Sequence, residues 1–436
     1  MCIRDSSWGA RQLWLRIDTT ALEHPGLWQA ELQLRPLAVG GATVSVPVSL
    51  NVWDAQLPEE QALNLCTWAY VHRSHLADQP EAALADQVAH GSSIFVAPFA
   101  PKGVFDEQGN IVSMDFSEHD AHVRAHGPHG ILLLSGYTNA ITGPAPRDSE
   151  IWREAYVAYL RRWVAHLKDL GFTYDDYALY PLDEPGLTEG SVDRFLTHAK
   201  LAKEADTDIR VYANPVGGAT MEDLQRMTPY VDIWAPHRFA YMLGAGGDKL
   251  EYIKSLGTTL WTYECEANVK HQSPLAYYRA YAWHAWQHGM TGIGFWTYCT
   301  SSDDPWHEPA RGSNDYQLVY PGDGIVTSKR WEAVRDGITD YTMLDALRNA
   351  VRDAEARGLH DDVAAAHRLL DDETRNSGVQ WRLVRQSRRG RRRCARGTQA
   401  RRRAMARLSR DTRRNRPASR GTIKGIEADR KLLPFW

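Results

Sequence analysis

Two adjacent carboxylates, Asp183 and Glu184, lie in the segment Tyr180-Pro181-Leu182-Asp183-Glu184-Pro185-Gly186. Paired acids can divide proton donation and proton acceptance when their surroundings push their pKa values apart. The negative charge of one would help the other keep its proton, as a general acid needs near neutral pH. The preceding Tyr177-Ala178-Leu179-Tyr180 is rich in strand formers. Pro185 lacks an amide donor and biases Glu184 towards extended backbone. The segment therefore predicts a buried strand ending at Asp183-Glu184. Side chains alternate along a strand, so only at its end can two neighbours reach one site. The competing reading is a pair of solvated acids capping a helix that starts near Thr188.

The elements that must position this pair are eight short apolar runs, at 63–70, 94–99, 131–135, 177–182, 209–214, 231–235, 259–263 and 293–298. Helical patterns lie between them. The clearest covers 149–170, where Trp152, Tyr156, Tyr159, Trp163, Leu167 and Leu170 recur at helical spacing. Segments 274–288 and 328–357 are similar, and 106–116, with Gly109-Asn110 at its centre, predicts a β-hairpin after the second run. Eight strand-plus-crossover units imply an α/β fold, a (β/α)8 TIM barrel. A doubly wound sheet is the competitor, but no glycine-rich phosphate loop follows the first run.

A barrel places its site at the C-terminal ends of its strands. Reading those ends gives Trp68-Ala69-Tyr70 with His72 beyond, then Tyr137, the acid pair, Asn214, Trp234 and His237, Tyr263-Glu264, and Trp296 with Tyr298. Aromatic rings among hydrogen-bonding groups suit a carbohydrate, whose C–H faces pack on rings while its hydroxyls need polar partners. Trp234, His237, Trp296 and Tyr298 are candidates for stacking and hydroxyl contacts. Asn214, Tyr263 and Glu264 are candidates for hydrogen bonds to hydroxyls. Tyr137 belongs to the same mouth, and Tyr316 and Tyr320 to a long segment that folds over it.

Before the barrel, residues 1–58 alternate as strands with Pro25-Gly26 and Gly40-Gly41 turns, which predicts a partial antiparallel β-sandwich. Residues 1–6 look foreign to it and are set aside. The barrel is expected over 59–378 and an Arg-rich tail over 379–436. Residues 382–436 carry 20 Lys and Arg against 3 Asp and Glu, leaving 31 against 51 in the rest. The tail has no apolar period for a core. It reads as a phosphate-neutralising arm, as a solvating tail, or as out-of-frame translation. The third is favoured, because the composition switches abruptly, and nucleic acid is not the expected partner. The five cysteines show neither metal spacing nor a disulfide framework. No apolar run is long enough to span a membrane.

Taken together, YPLDEPG, the late stretch GIGFWTY with DYQLVYPGDGIVTSKRWEAVRDGITDY, and the junction SLNVWDAQLP resemble glycoside hydrolase family 123 and the wider domain of unknown function 4091 group. The late stretch is the most specific part. The resemblance implies a retaining β-N-acetylgalactosaminidase with a β-sandwich before its barrel. It makes Glu184 the general acid/base and gives Asp183 the task of orienting the substrate's 2-acetamido group. The acetamido oxygen would attack the anomeric carbon, so no enzyme nucleophile, metal or organic cofactor is implied. The expected partner is an oligosaccharide or glycoconjugate; the sequence does not reveal the compartment, and any export signal would lie upstream of it. The alternatives are a glycosidase for another sugar, with Glu264 as a conventional nucleophile, and a carbohydrate-binding protein without catalysis.

Overall fold

The computed structural model describes residues 15, 17–19, 22, 24–35, 42–55, 57–135, 141–142, 145–147, 149–265, 273–299, 305–306, 316–359, 363–370 and 421–422. Residues 1–6, the tail apart from 421–422, and Tyr137 fall outside them. Chain packing divides the molecule into two units, Gln61–Ile338 and the combination of Met1–Glu60 with Thr339–Trp436.

In the second of these units, β1 (Gly26–Leu34) and β2 (Val44–Val52) pair antiparallel in unbroken register from Gly26↔Val52 to Leu34↔Val44. Gly421–Thr422 lies parallel to β1. Of the expected partial sandwich, the described residues form this single sheet. Leu347, Val351 and Ala354 pack with Val363 and Ala366 as a separate small core.

The larger unit is built on β3 (Asn64–Cys66), β4 (Ile94–Ala97), β7 (Ile131–Leu134), β9 (Tyr177–Leu179), β10 (Tyr212–Ala213), β11 (Ile233–Trp234), β12 (Thr259–Glu264) and β13 (Gly292–Phe295). Their spatial order is β10-β11-β12-β13-β3-β4-β7-β9, with every pairing parallel. A parallel bridge between Leu179 and Val211 joins the two ends of that order into a barrel. All eight apolar runs contribute a strand, as the periodicity predicts.

The intervening helices present apolar stripes to the strands. In α3 (Glu150–Asp169), Ser149 caps the N-terminus by accepting from the Trp152 amide at 3.2 Å, and Trp152, Tyr156, Tyr159, Trp163 and Leu167 are buried. The strands' inward residues fill the barrel: Cys66, Ile94, Val96, Leu133, Ala178, Tyr212, Ile233, Trp261 and Tyr263, with Trp68, Tyr180 and Ala235 just past strand ends. Gly294 makes room for this filling, since a Cβ there would lie 2.5 Å from the Trp68 ring. Each buried ring removes a large apolar area from water, which favours the folded barrel.

The hairpin differs from its expected position. Its strands are β5 (Lys102–Phe105) and β6 (Ile111–Asp115), and β8 (Ile141–Thr142) pairs parallel beside β5. The turn begins earlier than Gly109-Asn110 because the Asp106 carboxylate accepts from the Gln108 and Asn110 amides at 3.0 and 2.8 Å. Among the described residues, no helix is long and apolar enough to cross a membrane.

Candidate active site

The acid pair does not continue its strand. β9 stops at Leu179, and residues 180–184 leave the barrel as a bend. Glu184 has φ +50°, left-handed rather than the extended backbone that a following proline favours. Left-handed backbone in a residue other than glycine is strained and is held only by its surroundings. Two contacts hold it. The Glu184 amide donates to Asn214 Oδ1 at 3.1 Å. Just beyond, Gly186 has φ +94° and packs so closely that a Cβ would meet the Ala219 amide nitrogen at 2.3 Å.

This bend brings two neighbouring carboxylates to one place. Asp183 is exposed and Glu184 half-buried. Asp183 Oδ1 accepts from the Tyr180 hydroxyl and from Asn214 Nδ2, the latter at 2.8 Å. The Tyr263 hydroxyl donates to Glu184 Oε1 at 2.6 Å. Burial raises the Glu184 pKa, the Tyr263 hydrogen bond opposes that rise, and the Asp183 charge adds to it. The Asp183 charge thus acts in the direction expected of a neighbouring anion, with desolvation the larger cause. Tyr263 itself is pushed well up by burial and by the Glu184 carboxylate, so it stays a donor.

Several expected mouth residues do surround the pair. Asn214, fully buried, touches both acids. The His237 ring meets Tyr263 edge-on with centroids 5.1 Å apart, and burial lowers its pKa, favouring the neutral ring. Trp296 is half-buried, 5.6 Å from Tyr70, and its peptide bond to Thr297 is cis. Tyr316 hydrogen-bonds the Cys265 thiol, which burial pushes up to about 11 and which feels the charges of Glu184 and Asp183.

Four others do not line the mouth, and strand alternation explains the first two. Ile233 and Ala235 face the barrel interior, so Trp234 between them faces the helices and is 0 % exposed. Likewise Trp261 and Tyr263 face inward, which turns Glu264 outward into a buried ion pair with Arg238 at 3.6 Å. Tyr298 is buried, donates to Asp86 Oδ2 at 2.8 Å and packs edge-on against Trp331. Tyr320 is buried, accepts from Arg330 Nη2 at 2.6 Å and stacks on Trp306. These four are packing residues rather than sugar contacts.

Three further residues enter the site: Trp68 and Tyr70, which the strand-end reading placed at the mouth without a role, and Tyr180, which it left in the strand. Tyr180 binds Asp183. Trp68, with φ +42°, packs its ring 5.7 Å from Tyr263. Tyr70 lies near enough to Asp183 that the carboxylate's charge adds to burial in pushing its pKa up to about 12. The available signal was the first strand's Trp68-Ala69-Tyr70 ending.

Among the described residues, one group has the composition of a metal site: His119, Asp120 and His166. Its bonding argues otherwise. His119 Nε2 accepts from Trp163 Nε1 at 2.8 Å, so the proton sits on Nδ1, facing Asp120 at 3.0 Å. His166 completes the triad at 2.9 Å from the same carboxylate oxygen. Each ring thus serves a hydrogen bond between α3 and α2 (Ser117–His126).

Residues 135–347 match the sequence model described as glycoside hydrolase 123, catalytic domain. The fold is similar to that of a family 123 glycoside hydrolase from Clostridium perfringens, studied for glycolipid glycan hydrolysis. That match has a TM-score of 0.60 at 12% identity, over 89% of this chain and 77% of that one. An endo-β-1,4-mannanase from Thermotoga petrophila matches at TM-score 0.44 and 15% identity, over 65% of this chain and 77% of that one. An exo-β-1,4-mannosidase from Opitutaceae bacterium strain TAV5 gives 0.45 and 12%, over 65% of this chain and 60% of that one. No curated protein matches the chain. With the matched segment running from just after β7 through the acid pair and into the helix that begins at Lys329, the chain carries a glycoside hydrolase family 123 catalytic domain.

Proposed function

We propose that the enzyme cleaves a β-linked N-acetylhexosamine, with N-acetylgalactosamine as the first choice, by a retaining, substrate-assisted route. The observation that carries this reading is the contrast between carboxylates. Asp183 and Glu184 share one bend at the mouth, while Glu264, the candidate for a conventional nucleophile, is turned outward onto Arg238. The nucleophile then comes from the substrate. The glycolipid glycan hydrolysis studied for the Clostridium relative supports a glycoconjugate as substrate class.

In the first step Glu184 gives its proton to the glycosidic oxygen. The C1–O bond breaks as the acetamido oxygen bonds to C1, forming an oxazolinium ion. Asp183 accepts the acetamido N–H and stabilises the positive charge that develops there. In the second step Glu184, now a carboxylate, takes a proton from water. That water attacks C1 and reopens the ring, so two inversions give net retention. Burial suits Glu184 to the first step, and the Tyr263 hydrogen bond stabilises the anion needed for the second.

The test uses aryl β-N-acetylgalactosaminide, its N-acetylglucosaminide counterpart and the plain β-galactoside. Cleavage of acetamido sugars alone, blocked by a thiazoline analogue of the oxazoline and lost in Asp183→Asn, is the expected result. Turnover of the plain galactoside that survives Asp183→Asn would overturn the reading.

A further inference from the structure

Asp183 Oδ1 is held twice, by the Tyr180 hydroxyl and by Asn214 Nδ2. Asn214 Nδ2 also donates to the Tyr180 hydroxyl at 2.8 Å, and Asn214 Oδ1 accepts from the Glu184 amide. One buried side-chain amide thus touches both members of the acid pair, and Tyr180, 5 % exposed, completes a closed ring of hydrogen bonds with it and Asp183. Packing alone would be served as well by phenylalanine at 180. The hydroxyl is there for the carboxylate, and hydrogen bonds to ionised groups are the strong ones. Both donors converge on Oδ1 of this exposed residue, and among the described residues no hydrogen bond falls on Oδ2.

From this geometry we infer that Tyr180 and Asn214 are positioning residues for the reaction. They fix the Asp183 carboxylate so that Oδ2 meets the substrate's acetamido N–H, and Asn214 ties that orientation to the left-handed backbone of Glu184. The inference rests on the substrate-assisted reading above. The acetamido N–H becomes a stronger donor as the oxazolinium ion forms, so its bond to Oδ2 tightens in the transition state. Orientation of that oxygen therefore counts for more there than in the bound ground state. A carboxylate released to rotate loses transition-state stabilisation while leaving ordinary sugar contacts in place.

The experiment compares wild type, Tyr180→Phe, Asn214→Ala and the double variant. It reads kcat and KM on aryl β-N-acetylgalactosaminide, affinity for the thiazoline, affinity for free N-acetylgalactosamine, and the melting temperature. For Tyr180→Phe, kcat and thiazoline affinity are expected to fall together by about tenfold, the worth of one hydrogen bond to a charged group. KM and sugar affinity should stay within about twofold. Asn214→Ala should lose more, and adding Tyr180→Phe to it should cost little further, because the two act as one unit. A merely structural role would lower the melting temperature and leave the folded enzyme's kcat and thiazoline affinity alone. That outcome in Tyr180→Phe overturns the inference while leaving the reaction intact. Wild-type enzyme indifferent to the thiazoline overturns both.

Discussion

The carboxylates at the barrel mouth and those behind its wall have the same chemistry and opposite circumstances. Asp183 and Glu184 sit on a strained bend, one exposed and one half-buried, with a tyrosine hydroxyl bonded to each. Glu264 lies one residue beyond Tyr263, on the other face of β12, sealed against Arg238 whose guanidinium stacks over the Tyr281 ring at 4.2 Å. Asp86 and Glu332 are likewise behind the wall. They grip His90 from two sides, and Asp86 also accepts from Tyr298 and Trp331. The difference teaches that access separates the roles. Mouth acids can trade protons with a substrate, whereas acids behind the wall can only hold neighbouring elements in register.

That contrast can be broken most directly at Glu184. Glu184→Gln should lower kcat by about 10²- to 10⁴-fold, the usual worth of a general acid/base, with the melting temperature unchanged. Steady-state kinetics beside a thermal melt check both halves. Glu264→Ala should do the reverse. It leaves Arg238 buried without its counter-ion and should destabilise the fold by about 3–5 kcal/mol in denaturant unfolding. The fraction that remains folded should turn over at close to the normal rate. A rate loss without instability would restore Glu264 as a nucleophile.

A smaller effect sharpens the comparison behind the wall. Burial alone would push the His90 pKa down, but hydrogen bonds to Asp86 and Glu332 more than offset this and raise it from 6.5 to about 9. A pKa raised in the folded state stabilises the protein fully below the unfolded value and loses that stabilisation as pH rises through the folded one. Unfolding free energy should thus fall by about 3 kcal/mol as pH rises from about 6.5 past 9. His90→Gln should flatten that slope. The smallest expected effect returns to the mouth. Tyr263→Phe removes the one contact that lowers the Glu184 pKa, so the alkaline limb of the kcat/KM profile should move to higher pH. A limb that stays in place would mean that another group sets it.

Much of the architecture was legible in advance because it rests on local pattern. Alternating apolar runs and helical stripes locate all eight barrel strands and the helices between them. The acid pair was legible too, since it closes a short apolar run and a Pro-Gly pair follows it. Less legible was which way each candidate points. Trp234 and Glu264 read as mouth residues because each lies at a strand end, yet both face outward, since a shift of one residue along a strand reverses the face. Tyr298 and Tyr320 were drawn away by partners far along the chain or in a following helix, Asp86 and Arg330. Tyr180 was passed over as a strand residue, although its hydroxyl reaches the Asp183 carboxylate three positions on.

By itself, the sequence determined the barrel, the presence of two adjacent acids beside proline and glycine, and the aromatic character of the mouth. These follow from periodicity and residue type, which act over a few neighbours. Only the tertiary structure decided that Glu184 would take left-handed backbone, that burial more than Asp183 would raise its pKa, and that Asn214 would join the two acids. Each of those depends on atoms from another strand arriving within hydrogen-bond distance. Desolvation and closure of this kind are properties of the assembled barrel, and no spacing along the chain encodes them separately.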